Sequence, residues 1–244
     1  MMENQFDSQR VEQIRANVTR IKANIAQAAQ KAERSPQDIQ LMAVTKTVPP
    51  EYVNVAIQEG VTLLGENRAQ ELMEKYDAYQ LKADHIHFIG HLQRNKVKYI
   101  IDKVSMIHSV DSLELAKEID KQAKKHQLIM PVLVEVNIGR QETKSGVDPN
   151  LLEPLLDGLS SLGNISVQGL MAIPPAQESE KYFAKMQRLY IDIKAQNRDN
   201  IFMNFLSMGM SADYMLAIQY GANIVRVGSA MFGARSYQIG GFQK

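Results

Sequence analysis

Eight short apolar runs separated by amphipathic stretches follow Ser35-Pro36, and this alternation narrows the fold more than any other feature of the chain. The runs cover 39–45, 62–65, 86–90, 106–110, 132–138, 167–173, 205–208 and 224–228. Between them, apolar spacing predicts helices over 50–59, 68–81, 112–126, 150–162, 178–197 and 211–219, with 92–105 the least regular interval. Pro131-Val132-Leu133-Val134-Glu135-Val136 is apolar on both parities, which suits a parallel strand covered on both faces. Eight strand-helix units in 244 residues favour an α/β fold of the closed (β/α)₈ (TIM) barrel type over an open doubly wound sheet. A separate amphipathic helix is predicted ahead of the barrel over 8–33, with Val11, Ile14, Val18, Ile21 and Ile25 on one face. No linker composition interrupts the pattern, so 1–244 reads as one domain.

Charge and cysteine content remove several classes of function. With 28 basic and 27 acidic residues the net charge is +1, so no global field draws this chain to nucleic acid or to an anionic membrane. Any anion site must be local. The absence of cysteine excludes disulfides, thiolate nucleophiles and cysteine-ligated metal centres. Residues 1–10 lack the apolar core of a signal peptide and no apolar run approaches a membrane span, which makes a cytoplasmic chain the expectation. The five histidines form no H-E-x-x-H pair, and there is no G-x-S-x-G elbow, so no metal site is expected.

Lys46 stands where the first apolar run, Leu41-Met42-Ala43-Val44-Thr45, meets Thr47-Val48-Pro49-Pro50. A lysine at the mouth of a buried strand can have its ammonium desolvated and its amine made available as a nucleophile, the chemistry of imine formation. A strand-end lysine that snorkels to water satisfies the same segment equally well. The other end of the barrel sequence bears on the choice. Loops after the seventh and eighth strands of such barrels lie side by side and often bind phosphate. Here they read Ser207-Met208-Gly209-Met210-Ser211 and Arg226-Val227-Gly228-Ser229. Glycines permit close backbone approach, Ser211 is placed as a helix N-cap, and Ser207, Gly228 and Ser229 can supply hydroxyls and amides to an anion. Each loop alone also reads as ordinary turn glycines and a capping serine.

A lysine and a phosphate cup facing one another across a barrel mouth suit a ligand carrying both an aldehyde and a phosphate, of which pyridoxal 5'-phosphate (PLP) is the obvious candidate. Arg226 shares strand parity with Gly228 and, if that parity is inward, its guanidinium can donate to a pyridine nitrogen. A salt bridge inside the barrel is the other use for such an arginine.

The sequence resembles the pyridoxal phosphate homeostasis protein family over almost its whole length. The resemblance is carried by Ala43-Val44-Thr45-Lys46-Thr47, Gly65-Glu66-Asn67, His87-Phe88-Ile89-Gly90-His91-Leu92-Gln93-Arg94-Asn95-Lys96, Lys144-Ser145-Gly146, Gly169-Leu170-Met171, Ser207-Met208-Gly209-Met210-Ser211 and Arg226-Val227-Gly228. It implies a fold like the N-terminal barrel of alanine racemase, with PLP bound as an internal aldimine on Lys46. It also implies Ser207, Gly228 and Ser229 at the phosphate, Arg226 at the ring nitrogen, Asn67 close to the cofactor, and Lys144 near the site. Ile86, where the family often has tryptophan, and the loop 139–142 depart from the family pattern.

A racemase needs a second acid-base group, which the similar racemases take from a separate β-domain. Only sixteen residues follow Gly228, too few for such a domain, and Tyr237 is the tyrosine near the site in sequence. The expected function is therefore holding and handing on PLP, with apo PLP-dependent enzymes as partners and a monomeric chain. A weak amino-acid racemase and a cofactor-free Schiff-base aldolase are the alternatives.

Overall fold

The computed structural model describes residues 7–233. Eight strands close into a barrel in sequence order, each parallel to the next, and the last pairs with the first. They are β1 (Gln40–Val44), β2 (Leu63–Glu66), β3 (Ile86–Phe88), β4 (Met106–Val110), β5 (Met130–Glu135), β6 (Ile165–Met171), β7 (Ile201–Ser207) and β8 (Ile224–Val227). Helices α2 (Pro50–Gln58), α3 (Ala69–Lys75), α4 (Val97–Ile100), α5 (Leu113–Lys125), α6 (Leu152–Ser160), α7 (Ser179–Lys194) and α8 (Tyr214–Gln219) connect them. A short α9 (Ser229–Phe232) follows β8 and α1 (Ser8–Lys31) precedes β1.

Side chains alternate across each strand, and both faces are buried for different reasons. Ala43, Leu64, Ile107, Val132, Leu170 and Val225 point outward into the core between strands and helices. Met42, Leu63, Ile89 and Ile224 form one cluster inside the barrel, and Met106, Leu133 and Met171 form a second, with Phe205 packed against both. This parity fixes the inward direction for the strand ends: Lys46 follows Met42 and Val44, Asn67 follows Leu63 and Gly65, and Arg226 follows Ile224.

Asp7 caps α1 by accepting from the amides of Gln9 and Arg10 at 3.0 and 3.2 Å. The buried face of the helix carries Val11, Ile14, Val18, Ile21 and Ile25, as its periodicity predicts, and packs on α2, α8 and α9. Two side chains fix its register. Asn17 donates to the Met231 carbonyl at 3.0 Å, and Asn24 donates to the Tyr214 hydroxyl at 3.0 Å. The extra helix thus buttresses the elements that follow β7 and β8.

The irregular interval 92–105 holds one 3₁₀ turn (Arg94–Lys96) and the single turn of α4. β7 begins at Ile201, four residues earlier than the apolar run suggests, because Phe202 and Asn204 are exposed while Ile201 and Met203 are buried. Ile201-Phe202-Met203 is itself apolar, and the polar Asn204 divides it from the run 205–208. The stretch 136–138 leaves the sheet after β5, and Val136 bridges to Val147 instead.

Ile21 is 1% exposed in the α1 interface, so Ile21→Ala should lower stability by about 2–5 kcal/mol, read as a fall in the urea midpoint. Gly169→Ala should be costlier than a surface Gly→Ala change. Its φ of +148° disfavours a side chain, and a Cβ would lie 1.8 Å from the Phe205 carbonyl oxygen across the β6–β7 pair.

Candidate functional site

Lys46 lies immediately beyond β1, half-buried and on the inward parity. Asn67 occupies the equivalent place beyond β2. Among the described residues its buried side-chain oxygen has no hydrogen-bond partner, an unmet acceptor at the mouth-side end of β2. The loop after β3 approaches so closely that a Cβ on Gly90 would lie 2.1 Å from the Asn67 carbonyl oxygen. Gly90 therefore has a packing reason, and the surroundings of Asn67 are tightly determined.

Arg226 is 3% exposed and points into the barrel. It donates to Ser207 Oγ at 2.6 Å and to the Ala172 carbonyl at 2.9 Å, and among the described residues it makes no ion pair. The interior salt bridge is thus replaced by neutral acceptors. Ser207 Oγ is 3.2 Å from His108 Nδ1, and His108 Nε2 is 2.8 Å from His87 Nδ1. Arginine only donates, so Ser207 Oγ accepts from it, and the serine, His108 and His87 continue the hydrogen-bonded column into the barrel.

Burial and the neighbouring His87 and Arg226 hold His108 well below the usual imidazole range, and burial holds His87 down to about 4. Both are neutral near pH 7. Burial also lowers Arg226 to about 10, which leaves it charged. Across the barrel interior from it, Glu135 at the end of β5 is pushed up to about 7 by burial and by Asp111, with Arg226 acting in the opposite sense.

Ser211 is not the cap of the next helix. α8 begins three residues later at Tyr214, and Asp213 accepts from the Met210 amide at 2.7 Å to shape the turn before it. Instead Ser211 Oγ accepts from the amides of Gly228 and Ala230, each at 3.2 Å. These are the amides at the start of α9. Two neighbouring N–H groups therefore converge on one oxygen position, the arrangement an anion site requires. Gly209 shapes this loop with φ of +88°, and its carbonyl accepts from the Arg226 amide at 3.0 Å. The role of Ser211 is readable only when the two loops are known to touch.

The lysine and the cup do not face one another across the mouth. Closure makes β1 and β8 neighbours, with Met42 opposite Arg226, so Lys46 and the 226–230 segment stand side by side. A Cβ on Gly228 would lie 3.3 Å from the Val44 Cβ. Lys144 sits on an exposed loop. Tyr237 lies outside the described residues. A cavity of about 880 Å³ opens at the N-terminal ends of the strands, where Gln40, Thr62, Asp84 and His87 line it, and not at the C-terminal ends where these residues gather.

The model of the alanine racemase N-terminal domain matches residues 16–236. A protein of Aquifex aeolicus described as a pyridoxal phosphate homeostasis protein is 42% identical over 224 residues, covering 90% of this chain and 97% of its own. The chain belongs to the pyridoxal phosphate homeostasis protein family. A family structure, PipY of Synechococcus elongatus described with PLP bound, is 32% identical with a TM-score of 0.73, covering 86% of this chain and all of its own. An alanine racemase of Clostridium difficile, 24% identical with a TM-score of 0.69, shares the barrel; this chain covers 58% of it. No helix among the described residues is long and apolar enough to cross a membrane.

Glu135 and His87 impose opposite pH dependences on folding. Raised from 4.5 to about 7, Glu135 keeps its proton longer in the folded chain, so its contribution is lost as pH rises through that window. His87, lowered from 6.5 to about 4, makes stability rise with pH between those values. Glu135→Gln removes only the first dependence. Its urea midpoint should climb more steeply than wild type between about pH 4.5 and 6.5; parallel profiles would mean that Glu135 titrates as an ordinary carboxylate.

Proposed function

We propose that this chain binds PLP covalently through Lys46 and serves PLP homeostasis, holding the vitamer and delivering it to apo PLP-dependent enzymes. The observation that carries this reading is the placement of Lys46 beside the convergent Gly228 and Ala230 amides on hydrogen-bonded neighbouring strands. In PLP the aldehyde and the phosphate-bearing arm occupy adjacent ring carbons, so one molecule calls for an amine and an anion cup next to each other. When bound, that aldehyde supplies condensation with a primary amine and release of water. The reading is supported further by the PLP that the Synechococcus relative's description records.

Lys46 is the attachment point in this proposal. Gly228 and Ser229, with Ser211 added by the geometry, serve the phosphate. Asn67 offers its buried acceptor near the attachment point. Arg226 serves the ring nitrogen, with Ser207 beneath it as the acceptor that holds the guanidinium in place. An arginine keeps its proton, so the ring nitrogen stays a hydrogen-bond acceptor and the ring a weak electron sink. That suits retention better than turnover. Glu135, titrating at about 7 inside the same barrel, favours one second reading, a weak amino-acid racemase using that carboxyl as an acid-base group.

Purified protein incubated with PLP should turn yellow, and borohydride should then fix a phosphopyridoxyl mass on Lys46. Lys46→Ala should remain colourless. Arg226→Ala should weaken retention by about 10- to 100-fold, the worth of one charged hydrogen bond, and Ser207→Ala by less. A colourless wild-type protein would end the proposal. Sustained racemisation of alanine or serine that disappears in Glu135→Gln would promote the second reading over the first.

A further inference from the structure

Lys46 is followed by a residue in a costly conformation. Thr47 has φ of +63°, a left-handed backbone that a β-branched side chain rarely adopts. Thr47 is exposed, so packing does not keep it there; hydrogen bonds must. Its amide donates to the Glu71 carboxylate, and its hydroxyl donates to the Lys46 carbonyl at 2.6 Å. On the other side of Lys46, the Thr45 carbonyl accepts from Lys75 Nζ at 3.1 Å. Glu71 and Lys75 are themselves ion-paired one turn apart on α3, with side chains only 14% and 13% exposed. The Thr45 hydroxyl in turn donates at 2.6 Å to Glu66, a fully buried carboxyl that burial pushes up and that also accepts from Tyr79.

We propose that Glu71 and Lys75 are positioning residues that grip the main chain on both sides of Lys46 and hold the Thr47 turn in its left-handed state, which keeps the lysine directed to the barrel mouth. The inference rests on the reading of Lys46 as the attachment point for PLP, yet the grip exists whether or not PLP is bound. The geometry of the ion pair matters because one carboxylate holds the amide after the lysine while its partner holds the carbonyl before it. A glycine at 47 would adopt the same φ without help, so the grip should become dispensable in that background.

The test is competitive labelling of Lys46 by acetic anhydride in the absence of any aldehyde, with the exposed Lys124 as internal standard and peptide masses as readout. Glu71→Ala should change the labelling rate of Lys46 relative to Lys124 by about tenfold. Glu71→Gln, which retains an acceptor for the Thr47 amide, should change it much less. Thr47→Gly combined with Glu71→Ala should return it to within about threefold of wild type, a rescue that a merely stabilising role would not produce. The rate of borohydride-trapped PLP attachment should follow the same order. Equal labelling in Glu71→Ala and wild type, with both folded by circular dichroism, would overturn the inference, and so would a double variant no better than Glu71→Ala. A wild-type protein that takes no PLP but shows the labelling pattern would sink the functional reading and leave the grip established.

Discussion

Arg226 is a cation held inside the barrel that makes no ion pair among the described residues, and much of the interior is arranged around that fact. Taking an ion out of water costs several kcal/mol even after relaxation, while its two hydrogen bonds to Ser207 and Ala172 each return about 1.5–3 kcal/mol. The two sides are close, which leaves the guanidinium satisfied enough to fold and still suited to a further acceptor. Ser207, His108 and His87 are buried polar groups joined in one hydrogen-bonded column beneath the arginine. Carboxylates closer than Glu135 would have stabilised the cation better and neutralised its use toward a ligand.

Closure of the sheet converts that local arrangement into a site. In an open sheet the first and last strands would be edges, and Lys46 would lie far from residues 226–230. Pairing of β8 with β1 places them at the same end of adjacent strands, and α1 secures that seam from outside through Asn17 on Met231 and Asn24 on Tyr214. The added N-terminal helix is therefore coupled to the anion loops more directly than to the lysine. Loosening it should be felt first where the Gly228 and Ala230 amides meet Ser211.

The alternation of apolar runs is a strong signal because a closed parallel barrel buries both strand faces, so the architecture was legible from residue order, whereas residue order showed that Arg226 and Gly228 share a parity without showing that it is inward. Element ends were less so. β7 extends back through Ile201-Phe202-Met203, an apolar stretch that the polar Asn204 divides from the run at 205–208, so the run marks only the second half of the strand. The partners of Arg226 were hidden for another reason. His87, His108 and Ser207 come from three different strands, and their hydrogen bonds depend on shear and bulges such as the register shift between Ile107 and Val110. Ser211 shows the same limit: a serine before a helix looks like a cap, and only the contact between two loops shows that its oxygen faces the start of the next helix. Asn67 came from family resemblance, and its unpartnered oxygen gives that choice a physical basis.

The charge state of the polar column bears on what the site can do. Arg226 only donates hydrogen bonds and keeps its proton, while burial keeps His87 and His108 neutral near pH 7. A ring nitrogen placed against Arg226 would stay unprotonated, and a bound carbanion would find little stabilisation. Glu135, pushed up to about 7, belongs to β5, well removed in strand order from the seam that carries Lys46. On the proposed reading, a barrel built in this way would hold an aldehyde at one amine while an arginine against the ring nitrogen keeps the ring a weak electron sink, which suits a reservoir better than rapid turnover.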